Sequence, residues 1–248
     1  ENLETEYEYD DLGNLLSVDS PDTGLTTYTY DEAGNRTSQT DARGIAIHYS
    51  YDALNRLTLI DYPNDTDVSY TYDENNSGQR GVGRLTTVTD QSGTTSYTYD
   101  GTGNLTSESR VQDGLTFTTS YIYSYKQELI RITYPSGRMV DLTHDKLRQY
   151  TDMTTTYNGQ TQTIASNVEY LPFGPQTSLT FGNGIVQTKT YDADYRLTDL
   201  TDGAILDYTF SLDALGNITA RNSAGLGNET YQYDNISRLT QGVVGIDT

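Results

Sequence analysis

Apolar and polar positions alternate along most of this 248-residue chain, in short blocks that recur. Tyr7 and Tyr9, Tyr28 and Tyr30, Tyr49 and Tyr51, Tyr70 and Tyr72, and Tyr97 and Tyr99 each flank one polar residue. A period of two places both rings of a pair on one face of a strand. Each pair is followed by Asp, and a Leu stands beyond the Asp at Leu15, Leu57, Leu85, Leu105, Leu197 and Leu239. Gly and the Tyr-x-Tyr pairs break every window that could carry a 3.6-residue period, which excludes a helical bundle. The pattern predicts short antiparallel strands joined by tight turns.

The blocks form a repeat. Asp10, Asp31, Asp52 and Asp73 stand 21 residues apart, as do Asp192, Asp213 and Asp234. The step from Asp73 to Asp100 is 27, because residues 74–83 carry an insertion, expected to protrude from the sheet. Between about 101 and 190 the pattern decays without vanishing; His144-Asp145 lies 21 after Tyr123-Ser124. We expect one repeat segment over 1–248, about 12 units of about 21 residues, with no separate domains.

Within a unit, Asp opens a four-residue turn and its carboxylate accepts backbone N–H groups. Gly13, Gly34, Gly103 and Gly216 take the fourth position, which calls for a left-handed backbone. Asn55 takes it in the Asp52 turn, and Asn tolerates that conformation next best. Tyr195 and Ser237 stand there after Asp192 and Asp234, so those turns are expected to be strained or differently built. A lone hairpin cannot bury its Tyr and Leu face, so neighbouring units must stack. The expected packing is a single sheet with Tyr rings piled ring on ring between units.

Composition narrows the class. Only 34% of residues are hydrophobic, against roughly 45–50% (glycine included) in an ordinary globule, which favours one layer over a sandwich. Disorder is excluded by 23 Tyr and abundant Thr, residues that disordered chains lack. No apolar run reaches the roughly 18 residues of a membrane-spanning helix. A net charge of -20 repels phosphate backbones and anionic lipids, so neither nucleic acid nor membrane insertion is expected. The absence of Cys removes disulfides and thiolate chemistry.

Candidate chemistry is sparse. His48 and His144 are the only histidines, and neither brings a nucleophile or a second ligand with it in sequence. Paired carboxylates of the kind glycoside hydrolysis uses abound, but the turns account for nearly all the Asp residues. Gly81-Val82-Gly83 lacks the remainder of a dinucleotide fingerprint, and no cofactor is expected. Calcium is the alternative for the acidic loop of Asp61, Asn64, Asp65 and Asp67, and for Asp192 with Asp194. Exposed Tyr could also stack on sugar rings.

At YDDLGNLLSV (9–18), YDEAGNRTSQ (30–39), YDALNRLTLI (51–60), YDGTGNLTSE (99–108), YDADYRLTDL (191–200) and YDNISRLTQG (233–242), the chain resembles the Rhs or YD-repeat family. Tyr170-Leu171-Pro172-Phe173-Gly174 and Phe181-Gly182-Asn183-Gly184 resemble a further element of that family. The resemblance implies an all-β fold of YD hairpins in a curved, spiralling sheet, part of a hollow β-shell. It further implies a large secreted or cell-surface parent, as in toxin-complex subunits and teneurins, with the rest of that chain and an enclosed toxin domain as partners. A non-enzymatic role follows. The D-P-x-G-L motif that closes many such shells has no match here, so no self-cleavage residues carry over. The chain begins at Glu1 without Met, which reads as a segment of something longer. An adhesion module for glycan or protein ligands is the alternative.

Overall fold

The computed structural model describes residues 4–245 apart from Phe173, Ala224 and Leu226. It divides into two compact units, Glu1–Tyr121 and Ile122–Thr248. Among the described residues there are 22 strands, one 3-10 turn at Asn76–Gly78 and no α-helix.

In the first unit the strands run from Glu6–Tyr9 and Leu15–Ser20 through Gly24–Tyr30, Arg36–Thr40 and onward to Leu115–Tyr123. Each pairs antiparallel with the strand that follows it. The second unit repeats this meander from Leu129–Thr133 to Leu239–Val244. Substantial packing runs only between strands adjacent in sequence, so each unit is one sheet thick.

The period-two alternation sorts the faces. In Gly24–Tyr30, Tyr28 and Tyr30 are half-buried while Leu25, Thr27 and Thr29 are exposed. Leu206–Leu212 and Gly227–Tyr233 alternate the same way. The other face is a floor of hydroxyls. One row crosses five strands as Thr71, Thr87, Ser96, Ser109 and Thr118. Neighbouring hydroxyls bond across strands, as Thr98 does with Ser107 at 2.8 Å. With no second layer to cover either face, Leu142 is the one buried apolar side chain among the described residues. That accounts for the small apolar share.

Within each unit the weakly patterned middle keeps the antiparallel pairing. Four of its strands are longer, with 8 residues in Leu105–Gln112 and Tyr150–Tyr157, 9 in Leu115–Tyr123 and 11 in Gln160–Tyr170, so the 21-residue spacing is interrupted around them while the pairing is kept. The insertion departs from expectation. Rather than protruding, residues 74–83 fold back on their own unit. Gly81 N donates to Glu74 O at 3.0 Å, and Tyr99 N donates to Gln79 O at 2.9 Å. Thr86 and Thr87 donate their hydroxyls to Glu74 Oε2 at 2.8 and 2.7 Å, and Thr86 is wholly buried. Unmet polar groups in a ten-residue loop are satisfied more fully against the sheet than in isolation.

Candidate functional site: the repeat turns and the staples between hairpins

The turn at Asp10 sets the pattern. Asp10 N donates to Asn14 O at 2.9 Å and Gly13 N to Asp10 O at 3.0 Å, with Gly13 at φ 85°. This is the three-residue hairpin loop in which a turn is followed by a left-handed residue and a bulge. One carboxylate oxygen of Asp10 accepts Leu12 N and Asn14 N at 2.9 and 2.8 Å, and the other accepts Asn14 Nδ2 at 2.8 Å. Asp31, Asp52, Asp100, Asp192, Asp213 and Asp234 make the same pair of backbone bonds through one oxygen. Gly34, Gly103 and Gly216 hold the left-handed position in their turns, and Asn55 holds it at φ 61°.

Tyr195 and Ser237 also adopt φ 61°, and their turns close with the same bonds, Tyr195 N to Asp192 O at 3.1 Å and Ser237 N to Asp234 O at 3.0 Å. These turns are built like the others and carry the left-handed cost of a non-glycine residue. Gln127 and Arg148 do so in the Ser124 and Asp145 turns of the middle.

The fifth residue of the turn is a site that the Asp and Gly pattern does not mark. Asn14, Asn35, Asn104 and Asn217 donate Nδ2 to the second oxygen of their Asp at 2.8–2.9 Å. Arg56, Arg196 and Arg238 use Nε for the same bond at 2.7 Å. The signal lay in the sequence as an Asn-or-Arg choice at one fixed offset. Several of these residues also reach the next turn. Asn35 Nδ2 donates to Asn55 Oδ1 at 3.0 Å, and Arg56 Nη2 to Asp73 Oδ2 at 2.5 Å.

These donors hold the carboxyls below their ordinary range. For Asp10, Asp31, Asp100 and Asp213 the leading cause is the Asn side chain. For Asp52, Asp192 and Asp234 it is the backbone N–H of the Arg.

From Tyr30 onward the second Tyr of a pair staples hairpin to hairpin. Tyr30, Tyr51, Tyr72 and Tyr99 donate their hydroxyls to the carbonyls of Leu15, Arg36, Leu57 and Leu85 at 2.9, 3.0, 2.9 and 2.6 Å. In the second unit Tyr191 and Tyr233 reach Gln176 and Ile218 at 2.8 and 3.0 Å. Each acceptor opens a strand of the preceding hairpin. The rings meet arginine where ring-on-ring stacking was expected. Arg36 lies 4.6 Å over Tyr49 and 5.7 Å over Tyr28, and Arg56 lies 4.3 Å over Tyr72. A guanidinium stacks on a π-face and keeps its edge free for carboxylates, which a second phenol cannot do.

The remaining candidates are dispersed. Asp61 ends a strand opposite His48, Asp65 Oδ1 accepts Thr66 N at 2.7 Å, and Asp67 Oδ1 accepts Tyr62 N at 3.1 Å. Asp192 is engaged in its turn, and Asp194 pairs with Arg196 at 3.5 Å. Among the described residues no group of three or more His, Asp or Glu is arranged to hold a metal ion. His144 packs its ring 4.5 Å from Tyr150. Gly81 to Gly83 lie in the folded-back insertion. An open cleft of about 550 Å³ lies between Tyr62, Asp65, Asp90, Gln112 and Asp113, where Asp90 is held by Arg110 at 2.9 Å. Of the Tyr170–Gly174 element, Phe173 lies outside the described residues.

A hairpin meander with Asp-opened turns and phenol staples defines a β-repeat protein whose recurrent polar groups serve its own architecture. The RHS Repeat model matches residues 9–46, 30–67 and 81–115, so those stretches are Rhs repeats. No curated protein sequence matches it significantly. Its fold is that of a stretch of the TcdB2-TccC3 crystal structure, with a TM-score of 0.83 and 19% identity over 97% of this chain. The same protein without its hypervariable C-terminal region gives 0.82 and 19% over 96%. The Tc holotoxin pore of Photorhabdus luminescens gives 0.81 and 20% over 96%. The chain spans 14% of the length of each of these chains.

Proposed function

We propose that residues 1–248 are one continuous stretch of the wall of a hollow β-shell in a longer, secreted Rhs polypeptide. The wall encloses a toxic C-terminal segment of the same polypeptide and has no catalytic turnover of its own. The observation that carries this reading is the fold match over 96–97% of the chain to only 14% of TcdB2-TccC3. The site chemistry supports it. Asp10, Asp31, Asp52, Asp100, Asp192, Asp213 and Asp234 have their carboxylates taken up by turn donors, as a wall requires and a catalytic carboxylate does not.

The test is expression of the complete polypeptide, imaged by electron microscopy and treated with protease. We expect a closed particle whose C-terminal segment resists cleavage until the particle is denatured. An open sheet, or a C-terminal segment cut as fast before denaturation as after, would overturn the reading.

A further inference from the structure

The insertion at 74–83 interrupts the bonding that runs from turn to turn. Asn35 donates to Asn55 and Arg56 to Asp73, each a bond from the fifth residue of one turn to the next turn. Asn217 Nδ2 makes the same reach to Ser237 Oγ at 3.2 Å. Arg84 is the fifth residue of the Asp73 turn, since Asp73 N donates to its carbonyl at 3.1 Å. The Asp73 carboxylate already accepts from Arg56 and from Gly83 N at 2.5 Å, so its own turn leaves Arg84 free. Arg84 Nη1 donates to the Val82 carbonyl at 2.9 Å, and the guanidinium lies 5.5 Å over the Tyr99 ring. Its Nη2 reaches the next turn at the place a Cβ on Gly103 would take, where glycine offers no acceptor. Arg196 meets Gly216 in the same way but donates to the Asp213 carbonyl at 3.3 Å.

A second guanidinium comes to the same turn. The bond from Tyr99 N to Gln79 O sets Arg80 beside residues 100–103, with its backbone in the left-handed region at φ 47°. Arg80 Nη1 lies 3.0 Å from the point a Cβ on Gly101 would occupy. Asp11, Glu32 and Ala53 hold that position in other turns of this unit, so Gly101 is what makes the room. Among the described residues neither Arg80 nor Arg84 forms an ion pair, in a chain with 35 Asp and Glu.

We propose that Arg80 and Arg84 form an anion site over the Gly101–Gly103 turn, and that it takes a carboxylate from outside these 248 residues. The ligand supplies the acceptor that Asn55, Asp73 or Ser237 supplies at other turns. Guanidinium edges match the two oxygens of a carboxylate in charge and in geometry. A phosphate dianion is the poorer occupant. Asp73, Glu74 and Asp100 belong to the same turns and loop, and their charges oppose a second negative charge on the ligand. The site lies within the first unit and is independent of the shell-wall reading.

The test is NMR of the arginine Nε–H signals in the 248-residue chain at constant ionic strength. The probes are acetate, a Gly-Glu-Gly peptide blocked at both ends, and inorganic phosphate. We expect the Arg80 and Arg84 signals to move saturably with acetate, with a Kd of roughly millimolar order. Arg138, another guanidinium without an ion pair among the described residues, donates to Thr155 and should not follow them. G101D places a carboxylate where Asp11 stands in its turn, and should weaken acetate binding about tenfold or more. R80Q should weaken it as far, and both variants should keep the circular dichroism of the parent. Shifts that stay linear and match those of Arg138, or acetate binding that R80Q and G101D leave unchanged, would overturn the site. Phosphate bound more tightly than acetate would overturn the carboxylate assignment. Equal binding of acetate and peptide would support a free organic acid as the ligand, and a peptide bound tenfold more tightly would support an acidic side chain as its source.

Discussion

Replacing Tyr51 by Phe removes a single O–H donor and leaves the ring in place. The lost bond is the one to the Arg36 carbonyl at 3.0 Å. A net hydrogen bond contributes about 0.5–1.5 kcal/mol, and the freed carbonyl is only half-buried, so water can replace part of it. The expected loss is therefore about 0.5–1 kcal/mol. Tyr30 and Tyr72 make equivalent bonds to Leu15 and Leu57, at separate hairpins with separate acceptors. Independent sites add, so the triple variant Y30F/Y51F/Y72F should lose about 2 kcal/mol. For a chain of this size that lowers the melting temperature by about 4–8 °C. Tyr28 is the control, because Arg36 engages its ring rather than its hydroxyl. Y28F should be neutral. The assay is urea unfolding followed by circular dichroism, with thermal melts alongside. A triple variant that melts with the parent, or a Y28F variant that falls as far as Y51F, would refute the staple.

Three further expectations follow from the turns and the insertion. Gly34→Val, at φ 82°, should cost about 2 kcal/mol, while Gln127→Gly should gain about 0.5 kcal/mol, since relief of left-handed strain exceeds the entropy glycine adds to the unfolded chain; opposite signs in thermal melts would refute the turn assignment. The turn carboxyls are held below their ordinary 3.8, so their stabilisation is complete above the unfolded pKa and is lost as pH falls through the folded values. Melting temperature should be flat from pH 7 to about 5 and drop below about 4, measured in high salt to screen the general repulsion of a -20 chain; a rise in acid would contradict the bonding. Gly81→Ala would set a Cβ against the buried Thr86 and 2.5 Å from Glu74 O, and should cost about 1–3 kcal/mol by denaturation.

The sequence carries some of this structure openly and hides the rest. Strand, turn and spacing were legible because Asp10 or Gly13 acts through residue identity, and the period of two survives wherever one face is half-buried. The middle was obscure because its turns need a conformation rather than a residue. Ser124 replaces Asp with a hydroxyl acceptor, and Gln127 and Arg148 adopt positive φ without being glycine. The staples were hidden for a different reason. A phenol that donates to the Leu15 or Arg36 carbonyl leaves no mark on the acceptor's side chain. The insertion was misjudged because Glu74 and Gln79 act on Thr86, Thr87 and Tyr99, contacts set by tertiary proximity.

Each staple reaches back only to the hairpin before its own, so cohesion follows the order of the chain. A load pulled along such a chain meets the phenols one at a time. Every hairpin that gives way pays out about 70 Å of slack, roughly 21 residues at about 3.4 Å each. The remaining hairpins keep their own staples. Under tension the material unravels hairpin by hairpin from a loose end, and it need not rupture as a block. A tear is arrested wherever one hairpin holds better than its neighbours, and the folded-back insertion at 74–83 puts such a stop inside the first unit.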